Sequence, residues 1–160
     1  MVIKKEAKGS HFLKEVNLFD GLDNKVINQI FRLGMVQNFK KGDMVVRESQ
    51  QGGNLHIVIN GKAEVLKATK GKKTGGKRLA LLGRGSTFGE MSVFDGAPYS
   101  ASIRALDDCD VHIIRGSDFR HFLAKNPSTA VGILTTLITS ISNRLRRTNL
   151  ALSITDQSHA

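Results

Sequence analysis

Two hydrophobic periods divide the chain. Up to Gly34, and again from Ser117, apolar residues recur at helical spacing; between them they alternate as in strands. Phe12, Leu13 and Val16 fall on one side of a short helix that Ser10 is placed to cap. Residues 1–9 are expected to be a frayed tail. Leu18-Phe19-Asp20-Gly21-Leu22 has the composition of a tight apolar turn. Asp23 then caps a second helix, with Val26, Ile27, Ile30 and Phe31 on one face and Gly34 at its end.

From Met35 the spacing predicts strands over 35–40, 44–48, 55–60, 62–69, 78–82, 100–106 and 110–115. Asn60-Gly61 is a hairpin turn signal, because both central positions of such a turn need positive φ. Residues 49–54 form a polar loop, and 70–76 a Gly/Lys hairpin tip expected to be mobile. Short strands joined by tight turns suggest a closed β-roll or a sandwich.

The last third is helical again. Ser117 or Asp118 caps a helix bearing Phe119, Phe122 and Leu123. Asn126-Pro127 starts another, with proline in the first turn, where its missing N–H costs nothing. That helix carries Ala130, Leu134, Leu137 and Ile141 as one stripe, widened by Val131, Ile138 and Leu145. It is expected to run to about residue 150, longer than one small β domain needs for cover. The stripe from Ala130 to Leu145 therefore suggests a homodimer. The chain divides into a tail (1–9), one domain (10–150: helices 10–34, β-roll 35–115, hinge helix and long helix 117–150) and a second tail (151–160).

Composition narrows the class. A chain of 160 residues, 40% hydrophobic, suits one domain with a real core. A single cysteine, Cys109, allows no internal disulfide. No apolar run reaches the roughly 18 residues of a membrane span, and no signal-peptide core is present. A cytoplasmic protein is the expectation. The formal charge of +10 favours anionic partners such as nucleic acid, phosphorylated ligands, acidic lipid or an acidic protein. The basic run at 67–78 lacks interleaved aromatics for base stacking and reads as a solvated loop. The five histidines show no metal spacing, and no nucleophile elbow or P-loop occurs, so an enzyme is not expected. Cys109 lies among Asp107, Asp108 and Asp110, which should raise its pKa and blunt it.

The densest chemistry lies in residues 88–101, FGEMSVFDGAPYSA. Gly89 permits close backbone approach, and the amides around Gly89–Met91 open a helix that can cradle a phosphate oxygen or simply make a tight turn. Glu90 can accept a hydrogen bond from a hydroxyl donor, or cap the short helix after it. Phe88, Met91, Val93 and Phe94 read as core packing.

Phe88, Gly89, Glu90, Gly96, Pro98, Ser100 and Ala101 resemble the phosphate-binding cassette of the cyclic-nucleotide-binding domain, the family of the catabolite activator protein, protein kinase A regulatory subunits and gated channels. Residues 39–48 and 55–62 resemble its first strand pair and the strand after it, with His56 where an aromatic often sits. The resemblance covers roughly residues 11–150. It implies a mainly β fold: an antiparallel β-roll of the jelly-roll type, with N-terminal helices and a long C-terminal helix. It implies cyclic AMP or cyclic GMP as ligand. Glu90 would take the ribose hydroxyl; Phe88, Gly89, Met91, Pro98, Ser100 and Ala101 would line the cassette; Thr148 and Asn149 would be base contacts, or else part of a solvated, positively charged helix end. It also implies a free-standing regulatory module acting on a protein partner, without a helix-turn-helix and without specific DNA binding.

Tyr99 stands where the family has its phosphate-binding arginine. A phenol offers one neutral donor in place of a charged fork. Tyr99 is tolerated in a domain that has lost its ligand, contacts a different ligand, or is compensated by another cation such as Arg84, Arg144 or Arg147. Three functions stay open: a cyclic-nucleotide sensor, a ligand-free dimeric adaptor, and a cyclic-dinucleotide (cyclic di-GMP) effector using the clustered arginines.

Overall fold

A computed structural model describes residues 10–69 and 76–157, with 152–157 as backbone only. The expected tail at 1–9 and the hairpin tip at 70–75 lie outside the described residues. Residues 10–13 are helical, so Ser10 stands within that turn rather than capping it. A 3-10 turn, Asn17–Phe19, buries Leu18 and Phe19. Helix α1 (Asn24–Arg32) follows, capped as expected: the Val26 N–H donates to Asp23 Oδ1 at 2.9 Å. Gly34 does not close α1. Leu33 does, and Gly34 opens strand β1, where a Cβ would come within 2.3 Å of the Ile113 carbonyl oxygen.

The strands are β1 (Gly34–Phe39), β2 (Met44–Val46), β3 (Asn54–Asn60), β4 (Ala63–Lys67), β5 (Lys77–Leu82), β6 (Thr87–Phe88), β7 (Ser102–Ala105) and β8 (Cys109–Arg115). They form two antiparallel sheets, ordered β1-β8-β3-β6 and β2-β7-β4-β5. The two-residue β6 escaped the pattern, being too short to show a period. Helix α2 (Glu90–Asp95) interrupts the roll between β6 and β7.

Strand β3 explains the architecture. Leu55 and Ile57 face the helices and join a core of Leu13, Phe19, Ile27, Ile30, Ile114 and Phe119. Val58 faces the other way, into the space between the sheets, with Phe39, Ala63, Phe88, Ile103 and Val111. A strand covered on both faces loses its alternation and reads as a continuous apolar run.

Helix α3 (Gly116–Lys125) buries Phe119, Phe122 and Leu123 as expected. Neither Ser117 nor Asp118 caps it. It begins earlier, at Gly116, whose N–H donates to the Gly53 carbonyl at 2.7 Å. Helix α4 (Pro127–Gln157) starts at the expected proline and runs about two turns past residue 150. Ala130, Ile133, Leu134, Leu137 and Ile141 pack on the core, whereas Val131, Ile138 and Leu145 remain exposed.

Candidate functional site

The cassette hangs on two glycines in the left-handed region. Gly89 (φ 80°) precedes α2, and Gly96 (φ 68°) ends it. A Cβ on Gly89 would stand 2.4 Å from the Asn54 carbonyl oxygen, 3.1 Å from His56 Nδ1 and 3.3 Å from Tyr99 Cε1. Glycine here serves conformation and close approach together. On α2, helical spacing turns Glu90 and Val93 inward, both buried. It turns Met91 and Phe94 outward, at 45% and 39% exposure. Those two are therefore not core, contrary to the sequence reading; Phe88 and Val93 are. Ser92 fixes the loop by donating to the Ala97 carbonyl at 2.6 Å.

Glu90 is 6% exposed, and Arg144 of α4 meets it: the guanidinium Nη2 donates to Glu90 Oε1 at 2.5 Å. One turn further on, Thr148 Oγ1 donates to the Arg144 carbonyl at 3.0 Å. Thr148 and Asn149 are exposed. Of the other two candidate cations, Arg84 bonds Glu15 and the Ile59 carbonyl, and Arg147 is exposed on α4. Arg104 is committed to Glu64 at 2.6 and 2.9 Å.

Tyr99 is half-buried and clamped by its backbone: its N–H donates to Gln50 O at 3.0 Å, and its carbonyl accepts from Ser49 at 2.9 Å. Its ring meets the His56 ring edge-on, with centroids 6.0 Å apart. Burial pushes the phenol pKa up, and an interaction with the Asn54 backbone opposes it. His56 in turn stacks on Phe88, centroids 4.7 Å apart and planes 6° from parallel. Among the described residues, His56 Nδ1 and His112 Nδ1 are buried side-chain atoms with no hydrogen-bond partner. Burial lowers the His56 pKa from 6.5 to about 4, against backbone interactions at Asn54 and Phe88.

Pro98 and Ser100 are exposed and Ala101 half-buried. Lys67 Nζ donates to the Ser100 carbonyl at 2.7 Å and pairs with Glu48 at 2.6 Å. Sequence reasoning placed Lys67 in an undifferentiated basic run and missed this link. It noted His56 as a substitute for an aromatic but not as a neighbour of Gly89. The signal was there: a titratable ring at a position that packing reserves for an aromatic one.

A groove of about 440 Å³ lies elsewhere, between α1 and α3, lined by Arg32, Leu33, His121, Phe122 and Lys125 among others. Size does not make it the site. The buried carboxylate of Glu90 belongs to the cassette, and His56 Nδ1, without a hydrogen-bond partner among the described residues, lies against it. Cys109, at the start of β8, is buried: burial, with Asp107 and Asp110 adding and the Asp107 and Lys62 backbone carbonyls opposing, pushes its thiol pKa up, and it donates to the Lys62 carbonyl at 3.0 Å.

Comparison with known proteins gives concordant findings. The family model described as "Cyclic nucleotide-binding domain" matches residues 36–126. A cAMP-dependent protein kinase regulatory subunit of Debaryomyces hansenii is 30% identical over 112 residues, 70% of this chain and 24% of that protein. A cGMP-dependent protein kinase of Toxoplasma gondii is 34% identical over 99 residues, 62% of this chain and 9% of that protein. The crystal structure of Thermus thermophilus catabolite activator protein superposes with a TM-score of 0.76 at 26% identity, covering 86% of this chain and 62% of that one. The chain thus spans less than two thirds of each of these relatives.

Proposed function

The chain belongs to the cyclic nucleotide-binding domain family, and on that premise we propose that it is a non-enzymatic sensor of cyclic AMP or cyclic GMP. The nucleotide would sit against the cassette, with its phosphate at the Gly89–Met91 amides and Ser100. Glu90 would accept from the ribose hydroxyl, and Thr148 and Asn149 would be near the base. The observation that supports this most is the Arg144–Glu90 contact. It joins the acid of the cassette to the long helix. A ligand that rearranges this contact shifts α4, which is how a binding event becomes a signal. The exposed residues Val131, Ile138 and Leu145 lie seven apart, the spacing of a two-helix seam, and support homodimerisation through α4. A protein partner in the cytoplasm would read the change. Among the described residues no helix is long and apolar enough to cross a membrane.

Thermal-shift titration with cyclic AMP, cyclic GMP and cyclic di-GMP tests the proposal. Stabilisation by one mononucleotide, lost in Glu90→Ala, is the expected result. Stabilisation by cyclic di-GMP alone would replace the ligand class. No shift with any of the three would favour a second reading, a ligand-free dimeric adaptor. The packing of Tyr99 against His56 and beside Gly89 is the observation on its side.

A further inference from the structure

His56 occupies a place where packing asks for a flat ring and nothing more. It stacks on Phe88, pairs with Ile113 across β8, and takes the edge of Tyr99. A phenyl ring would satisfy all three. The imidazole adds a nitrogen, Nδ1, that is buried and makes no hydrogen bond of good geometry among the described residues, with only weaker contributions from the Asn54 and Phe88 backbones to the ring; a Cβ on Gly89 would stand 3.1 Å from it. A buried polar atom without a partner is costly unless something uses it. Its neighbour Gly89 is half-buried and has no side chain between its backbone and the His56 and Tyr99 rings. Tyr99, the other group against Gly89, carries no positive charge.

We propose that His56 is the proton-accepting member of the ligand site: the anionic phosphate of a cyclic nucleotide, seated at Gly89 and Tyr99, draws one proton from solvent onto the His56 imidazole. Binding is therefore coupled to proton uptake and tightens as pH falls. The inference rests on the nucleotide-binding reading above. The balance is simple. No covalent bond forms, and the neutral ring gains a proton and a charge that offsets part of the phosphate charge. Without a nearby anion, burial holds the ring neutral, with its pKa lowered to about 4. An opposite charge in a low-dielectric site favours the ionised form and moves that pKa back up. The ionisable groups around the ring do not supply such an anion. Tyr99 stays a neutral phenol across this range, and Glu90, one residue beyond Gly89, has its carboxylate on Arg144. From β6 and β8 the facing residues are Phe88 and Ile113, both apolar.

The test is calorimetric titration of the native protein with cyclic AMP and cyclic GMP between pH 5.5 and 8, where the phosphodiester keeps its charge. Each pH is run in two buffers of different ionisation enthalpy, so that protons are counted directly. Expected are net uptake that grows toward acid pH and an affinity that rises by up to about tenfold per pH unit. His56→Phe keeps the ring stack and should bind with the pH 8 affinity at every pH, without uptake. Tyr99→Arg leaves His56 in place; its guanidinium neutralises the phosphate, so it should bind tighter by about one to three decades with less uptake. Should His56→Phe not fold, the native protein and Tyr99→Arg decide between them. Binding without proton uptake, or uptake unchanged in either variant, overturns the role of His56 and leaves the nucleotide sensor standing. No binding of either nucleotide at any pH overturns both.

Discussion

Glu90 is a carboxylate almost without exposed surface, and Arg144 is the guanidinium that meets it. Removing one partner of such a pair strands the other charge, which is costlier than the pair itself is stabilising. Arg144 is half in water, so the cost is reduced. Arg144→Ala is expected to lower stability by about 1–3 kcal/mol, read as a shift in the urea midpoint. Two histidines make a second residue-scale expectation. His56 has a folded pKa of about 4 against an ordinary 6.5, and burial lowers His112 in the same direction, opposed by the Phe31 carbonyl 3.0 Å from its Nε2. The unfolded chain then binds more protons between those values, so stability is full above pH 6.5 and is lost as pH falls toward 4. At pH 5 the His56 share is about 2 kcal/mol. Urea melts at pH 7.5 and 5 should show the drop, and His56→Phe should remove part of it. A flat profile in the native protein would contradict the burial of both rings.

Helix α4 has one face on the core and another, the face of the proposed dimer, in solvent. Ile133 and Leu137 are buried in the core, while Ile138 is 64% exposed. Ile138→Asp should therefore leave the monomer's fold intact by circular dichroism but convert a dimer to a monomer in light scattering, with a melting temperature that no longer depends on protein concentration. An unchanged dimer would move the interface off this helix. The same helix shows where sequence reading stops. Spacing located the helix and its first residue, Pro127. It set Leu134 in the main stripe and Val131 and Ile138 at its margin, but could not tell that the margin stays exposed, because those positions are apolar too. Helix ends at Gly34 and Gly116 were misread for a related reason. Glycine and hydroxyl residues are general boundary signals, but both glycines are fixed by sheet and loop carbonyls distant in sequence. The short α2 misled in the opposite sense: Met91 and Phe94 are apolar, yet a helix of six residues has room to bury one side only.

At the scale of the molecule, two stacked antiparallel sheets carry the cassette on an inter-sheet core, and the helices close over a second core on the outer side of β3. The β-roll and the cassette were legible because their turns need glycine and their strands need alternation, both local demands. The meeting of Glu90 with Arg144, the placement of His56 against Gly89 and the hold of Lys67 on Ser100 were not. Each joins residues from separate elements, and only the closed fold brings them together. That closure is the heart of the sensor account: ligand at the cassette must be felt at α4. Hydrogen exchange with and without saturating cyclic AMP or cyclic GMP tests it directly. The account predicts slower exchange in residues 88–101 and altered exchange in α3 and in α4 around Arg144, with both effects absent in Glu90→Ala. Saturating nucleotide that leaves α3 and α4 unchanged would contradict it.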